Sequence, residues 1–276
     1  MNTLRFALLS LSGLFFVVAA AAVPAQTPQS TLQPKMGQPG KDVVWVPTPD
    51  AMVDKMLDMA HVTSQDYVVD LGSGDGRNVI AAARRGARAL GVEYNPDLVE
   101  LSKQEAAKAG VADKAVFVQG DLFEADISQA TVLAIFLTPD ILSRLAPKFF
   151  NLKPGSRIVL NTYDIGGGWK PDETETVRGT CISFCLAILY VVPARVAGNW
   201  RMLDGELTLE QEFQMISGTF EIGGISVPVE NGRLRGEEIR FTINGVDYIG
   251  RVQGAKMEGV ATGRITKAWT ATRANE

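Results

Sequence analysis

Asp70, Gly72, Gly74 and Gly76 stand at alternate positions in YVVDLGSGDGRNVI, directly after an apolar run. A loop stripped of side chains at a strand end can take positive φ and lets a ligand approach the main chain closely. Phosphates, sugars and amino-acid groups can all use such a loop, and the flanking residues narrow the choice. A dinucleotide site has the spacing G-x-G-x-x-G, and a P-loop needs Lys followed by Ser or Thr, whereas this loop continues into Arg77-Asn78. An acid at the strand end repels a pyrophosphate and suits a cation. Two further acids occupy comparable places. Glu93 closes the run RALGVE, where an acid accepts hydrogen bonds from ribose hydroxyls, and Asp121-Leu122 closes AVFVQGDL. These three ends supply what a nucleoside carrying an amino acid would need.

The elements that must position them follow from periodicity. DAMVDKMLDMAHV places Met52, Val53, Met56, Leu57 and Ala60 at helical spacing. YVVDL reads as a buried strand, RNVIAAARRG as a helix ending at Gly86, and RALGVE as a second strand. NPDLVELSKQEAAKAG has Asn95 as N-cap, Pro96 at the first helical position and Gly110 past the end. AVFVQGD, TVLAIFL and SRIVLNTY follow as strands, with the helix PDILSRLAPKFFNL before the last. Strands alternating with helices predict an α/β fold with a doubly wound, mainly parallel sheet over residues 43–193. Ligands bind such sheets beyond the carboxyl ends of the strands.

Beyond about residue 194 the pattern changes. Segments such as EIRFTING and GVDYIGRV alternate apolar with polar residues, and Asp204-Gly205, Asn231-Gly232 and Asn244-Gly245 are hairpin signals. Residues 194–276 are therefore expected to form an antiparallel β-rich domain, a small sheet or barrel. At the other end, Arg5 precedes an apolar stretch from Phe6 to Val23, and Val23-Pro24-Ala25 offers small residues for cleavage before Gln26. Residues 1–25 read as a signal peptide, or as a membrane anchor if uncleaved, and either puts the rest of the chain outside the cytoplasm. Residues 26–42, rich in Gln, Pro, Ser and Thr, read as a linker.

Cys181 and Cys185 lie four apart in ISFCLAILYVV. Read as a strand, this run holds the two about 13 Å apart, too far for a disulfide, so two buried thiols are expected. Neither these nor the lone His61 makes a metal set, since zinc needs three or four converging ligands, and His61 reads as the polar end of the preceding helix. With a formal charge of −4 and no basic tract interleaved with aromatics, nucleic-acid binding has no electrostatic support.

VVDLGSGDGR, GVEYNPD and VQGDLFEAD together resemble motif I, the acidic loop and the adenine-contacting loop of class I S-adenosylmethionine methyltransferases. The resemblance runs from Val43 to about Val192. It implies S-adenosyl-L-methionine as cofactor, with Asp70, Gly72, Ser73 and Gly74 around its methionine moiety. It further implies Glu93 on the ribose and Asp121 with the Leu122 backbone on the adenine. WVPTPDAMVDKML and FLTPDILSRLAPKFFNLKPGSRIV add a narrower resemblance, to bacterial relatives of the mitochondrial lysine methyltransferases that modify the ATP synthase c subunit and the adenine nucleotide translocase. In that family a Pro-Thr-Pro-like segment folds over the methionine end of the cofactor, which here implies Pro47, Thr48 and Pro49.

Methyl transfer from a sulfonium is an in-line displacement, so alignment and dehydration matter and no covalent residue is required. A lysine acceptor must first lose a proton, and its reference pKa of about 10.4 sets that cost at roughly 4–5 kcal/mol at pH 7. Thr138 and Pro139 after the fourth strand, and Asn161, Tyr163 and Asp164 after the fifth, are the candidates for the acceptor end. Tyr163 is placed to contact the amine and Asp164 to take its proton. The expected activity is methyl transfer to an amine such as a protein lysine, on an acceptor such as a membrane-associated protein. The alternative is a noncatalytic exported module derived from such an enzyme, with the β-rich tail as its ligand- or partner-binding part.

Overall fold

In the computed structural model, which describes residues 33–179 and 181–274, the sheet grows from runs too apolar to face water on either side. Helix α1 (Asp50–Met59) leads into β1 (Tyr67–Leu71), α2 (Arg77–Arg84), β2 (Arg88–Glu93), α3 (Pro96–Lys108), β3 (Ala115–Gln119), β4 (Val132–Ile135), α4 (Pro139–Phe150) and β5 (Arg157–Asn161). Strands β6 (Glu173–Thr176) and β7 (Leu186–Val191) complete a seven-stranded sheet of order β3-β2-β1-β4-β5-β7-β6. The first five strands are parallel, and β7 and β6 are antiparallel to their neighbours. Val68, Val69, Leu133 and Val159 are wholly buried, as a sheet covered by helices on both faces requires. Helices α1, α2 and α3 cover one face, through residues such as Met52, Met56, Val79 and Val99, and α4 covers the other with Ile141, Leu142, Leu145 and Phe149. Asn95 caps α3 by accepting a hydrogen bond from the Asp97 amide at 2.9 Å. The order reverses at β1 and β4, which fixes where a ligand crevice opens.

After β7 the chain enters eight antiparallel strands that close on themselves. They are β8 (Gly198–Met202), β9 (Gly205–Glu212), β10 (Met215–Ile222), β11 (Ile225–Arg235), β12 (Glu238–Ile243), β13 (Val246–Gln253), β14 (Lys256–Thr262) and β15 (Thr266–Arg273). Alternate side chains fill the interior, among them Trp200, Leu207, Phe241, Met257 and Trp269, so the barrel has a packed core. Asn244-Gly245 makes the two-residue turn expected of it, with φ of 49° and 73°. Asp204-Gly205 also marks a hairpin, the two-residue turn Leu203-Asp204 between β8 and β9, whereas the third signal means something else. Asn231-Gly232 lies inside β11 at a register shift between Glu230 and Arg233, and a Cβ on Gly232 would meet the Ile216 carbonyl oxygen at 2.2 Å. Gly205 starts β9, where a Cβ would come within 2.1 Å of the Glu221 carbonyl oxygen. Both glycines allow close backbone approach, Gly205 at the closing pair of its hairpin and Gly232 at a bulge that shares its sequence signature with a turn.

The barrel sits against the segment between β5 and β6. The side chain of Asp172, wholly buried, pairs with Arg233 at 2.8 Å, and Glu173 pairs with Arg235. Gln214 Nε2 donates to the Lys170 carbonyl at 2.6 Å, and Phe213 stacks on Trp169. Among the described residues no helix is long and apolar enough to cross a membrane. The expected leader, residues 1–25, lies outside the described residues, as does the linker up to residue 32.

Candidate active site

A cavity of about 320 Å³ opens beyond the carboxyl ends of the parallel strands, next to the reversal between β1 and β4. Thr48, Asp70, Gly72, Ser73, Gly74, Glu93, Asp121 and Leu122 all line it. Gly72, Gly74 and Gly76 take φ of 74°, 56° and 83°, values that disfavour any residue with a Cβ. The amides of Gly72 and Ser73 both donate to the Val92 carbonyl, at 2.8 and 3.1 Å, which ties the loop to β2. Glu93 secures it from the same side: Oε2 accepts from the Gly74 amide and Oε1 from the Asn95 amide, each at 2.9 Å. Each carboxylate oxygen keeps a lone pair for a ligand hydroxyl.

Asp70 is buried, with Asn78 Nδ2 donating to its Oδ2 at 3.1 Å. Burial first, and then the negative Glu93 and Asp75, push this carboxyl well above its ordinary range. A buried acid of this kind, facing a cavity with no basic partner among the described residues, is a place where a ligand cation gains most. Asp121 is anchored by the Phe123 amide, which donates to Oδ1 at 2.8 Å, and its Oδ2 receives Lys41 Nζ at 2.5 Å. Lys41, together with the Phe123 amide, holds the Asp121 carboxyl below its ordinary range.

Lys41 belongs to a strap, residues 38–48, that forms one wall of the cavity. The segment expected to be a plain linker thus ends as part of the site: the Gly37 amide donates to the Trp45 carbonyl and the Trp45 amide to the Gln38 carbonyl, at 2.8 and 2.9 Å. The Trp45 indole lies so close over Gly74 that a Cβ there would meet Nε1 at 2.5 Å. Arg77 fastens the end of the strap, donating to the Thr48 carbonyl at 2.6 Å while forming two bonds to Asp75. Lys41, Trp45 and Arg77 were not marked by the sequence as site residues, because their partners lie far away along the chain or in a glycine that carries no side chain.

At the acceptor end, only one of the three expected residues after β5 reaches the cavity. Tyr163 lines it. Asn161 is wholly buried at the end of β5, with Oδ1 accepting from Thr162 Oγ1 at 2.9 Å and Nδ2 without a partner among the described residues. Asp164 is exposed and outside the lining. A tight turn separates them: the Tyr163 amide donates to the Asn161 carbonyl at 2.8 Å across Thr162, whose φ is 66°. For a β-branched residue that conformation costs about 1–3 kcal/mol and recurs where a side chain must be aimed. Thr138 lines the cavity as the N-cap residue of α4, and Pro139 begins that helix.

Cys181 and Cys185 overturn the expectation of two free thiols. They form a disulfide with Cα atoms 5.7 Å apart, because β7 starts only at Leu186 and the preceding residues fold as a loop. An apolar run does not reveal which of its residues leave the sheet. The bridge encloses Phe184, at φ 57°, whose ring lies 5.1 Å from Phe136 and 6.4 Å from Tyr163. Among the described residues no cluster of His, Cys, Asp and Glu forms a metal site.

The groups present fit a nucleoside with a cationic amino-acid arm: two acceptors on Glu93, a buried acid at Asp70 that a cation would neutralise, an acid and a free backbone at Asp121-Leu122, and a glycine cradle without room for side chains. Comparison with known proteins gives the same answer. The ANTKMT methyltransferase domain matches residues 70–173. A protein-lysine N-methyltransferase of Saccharolobus islandicus is 42% identical over 139 residues, which is 49% of this chain and 86% of that protein. The lysine N-methyltransferase of the ATP synthase c subunit from Rattus norvegicus is 36% identical over 51% of this chain and 67% of its own length. Among solved structures, an RNA methyltransferase from Salinibacter ruber in complex with S-adenosyl-L-homocysteine is 46% identical, with a TM-score of 0.51 over 55% of this chain and 96% of that one. The chain therefore belongs to the family of S-adenosylmethionine-dependent methyltransferases that carry the ANTKMT methyltransferase domain.

Proposed function

We propose that this methyltransferase acts on the side-chain amine of lysine in a protein outside the cytoplasm. The observation that carries the reading is the contrast between the two ends of the cavity, acidic and polar around Asp70, Glu93 and Asp121 but aromatic around Phe136, Tyr163 and Phe184. When bound, S-adenosylmethionine supplies an electrophilic methyl group. Asp70 would hold the ammonium of its methionine arm, Glu93 would accept from the ribose hydroxyls, and Asp121 with the Leu122 amide would hold the adenine. Thr48 and the strap exclude water from above. On the acceptor side, apolar walls disfavour the charged form of an amine and so lower the cost of its deprotonation. The Tyr163 hydroxyl orients the nitrogen, and the proton leaves through the open mouth, since Asp164 stands outside the cavity.

The relatives named as lysine methyltransferases of the ATP synthase c subunit and of the adenine nucleotide translocase support a membrane-protein acceptor. The Salinibacter ruber relative is named for action on RNA, but the formal charge of −4 gives no electrostatic support for phosphate binding. The Cys181–Cys185 bridge suits an oxidising compartment, as the export reading of residues 1–25 would require. The test is transfer of labelled methyl groups from cofactor to a host membrane extract. Label on lysine of a protein supports the reading, while label confined to RNA, lipid or a small molecule refutes the acceptor class and leaves methyl transfer intact. Cofactor binding with no labelled acceptor of any class favours the noncatalytic alternative.

A further inference from the structure

The strap over the cavity is stapled into a loop by the two backbone hydrogen bonds that join Gly37 and Gln38 to Trp45. Gly40 turns its tip, where a Cβ would meet the Val43 carbonyl oxygen at 2.2 Å. Lys41 stands on that tip and reaches two strand-end loops at the end of the cavity assigned to adenine. Its Nζ lies 2.5 Å from Asp121 Oδ2, after β3, and 5.1 Å from the centre of the Tyr94 ring, after β2. All three residues line the cavity, so this one side chain joins the strap to the sheet across the adenine end. The fastenings of the strap differ in strength. Trp45 is wedged over Gly74, and Arg77, which holds the Thr48 carbonyl, is itself fixed by Asp75. The Lys41–Asp121 pair joins side chains 35% and 28% exposed, so water and salt compete for it and it opens first. Val43 packs against the core from the same tip, an apolar contact that charge screening leaves untouched.

We propose that Lys41 is a positioning residue that latches the cofactor pocket: its bond to Asp121 holds the strap over the adenine end, and cofactor and product exchange when that bond opens. Lys41 acts through Asp121 and the strap and touches no reacting atom. It lies outside residues 70–173, the stretch common to the family. A gate that closes over the empty and the filled pocket alike slows entry and exit by the same factor and leaves affinity nearly unchanged, whereas a plain contact slows exit alone. The full chain is mixed with S-adenosylhomocysteine in a stopped-flow instrument, with tryptophan fluorescence as the signal because Trp45 lines the cavity. Lys41→Met keeps the length of the side chain and removes its charge. It is expected to raise the association and dissociation rates together, each roughly 3- to 10-fold, with Kd within about 2-fold of the parent, the scale of a part-exposed ion pair with a cation over one ring. Added salt should quicken both rates in the parent and neither in Lys41→Met, and Lys41→Arg should restore slow, salt-sensitive exchange. Dissociation that quickens alone, rates that Lys41→Met leaves unchanged, or parental rates indifferent to salt would each overturn the latch. None of these outcomes bears on the acceptor, which the labelling experiment decides.

Discussion

Replacing Asp70 by Asn should make the empty protein more stable and the loaded one weaker. The Asp70 carboxyl is 3% exposed, its hydrogen bond comes from the neutral Asn78, and its charged neighbours Glu93 and Asp75 are both negative. Burial therefore raises its folded pKa above the ordinary 3.8. Below 3.8 the unfolded and folded forms are both protonated and the site is neutral to stability. As pH rises from there through the folded pKa, the unfolded chain gives up a proton that the folded chain retains, so stability falls, and above that pKa the penalty is complete. Asparagine keeps an oxygen for Asn78 Nδ2 and carries no charge. At neutral pH and above, the variant should gain about 1 kcal/mol, or roughly 2–4 °C in melting temperature, and the gain should vanish in acid. Cofactor affinity should move the other way. Loss of a charged partner for the methionine ammonium costs about 1.5–3 kcal/mol, roughly 10- to 100-fold. Thermal melts across pH and calorimetry with cofactor decide the matter. Parental affinity, or a lower melting temperature of the empty variant at neutral pH, would refute the reasoning.

Glu93→Ala should weaken cofactor binding by about 1.5–3 kcal/mol. It also frees the Gly74 and Asn95 amides, so Glu93→Gln, which keeps one acceptor, should recover part of the loss in the same calorimetric assay. Gly74→Ala forces a Cβ against Trp45 at a φ of 56°, and quenching of Trp45 fluorescence by acrylamide should rise as the strap lifts, together with a higher cofactor Kd. Arg233→Ala leaves the Asp172 carboxylate buried without its partner; because Arg233 is itself partly exposed, a loss of about 2–3 kcal/mol in denaturant unfolding is expected, below the range for a fully buried pair. Intact mass of protein from its native host should correspond to a chain beginning near Gln26, and a soluble full-length form would refute export.

That Asp70, Glu93 and Asp121 would share one cavity was legible because their placement is local. Each of Asp70, Glu93 and Asp121 ends its own strand, and the strand order of a doubly wound sheet brings such ends together whatever the rest of the chain does. Of the three residues expected after β5, only Tyr163 lines the cavity, since the turn at Thr162 leaves Asn161 buried and Asp164 exposed. Phe136 and Phe184 meet across 48 residues, and Lys41 meets Asp121 across 80, separations over which no periodicity carries information. The disulfide was misread because ISFC and LAILYVV form one apolar run while only the second half joins the sheet. In the barrel, Asn231-Gly232 marked a bulge instead of a turn, two structures that ask the same backbone freedom of the same residues.

One stretch of chain, Trp169, Lys170, Asp172 and Glu173, makes part of the contact between barrel and sheet, beside Phe150 against Phe213 and Gly155 against Gly236. That stretch is the downstream continuation of the turn that aims Tyr163, and the family's common region stops within it, at residue 173. The barrel braces that stretch from outside, while the glycine loop is held by bonds made within the sheet and the strap. Inheritance can then act on the two halves separately. On the proposed reading, a change in the barrel reaches the aromatic end of the cavity through this stretch and leaves the glycine loop's own bonds untouched.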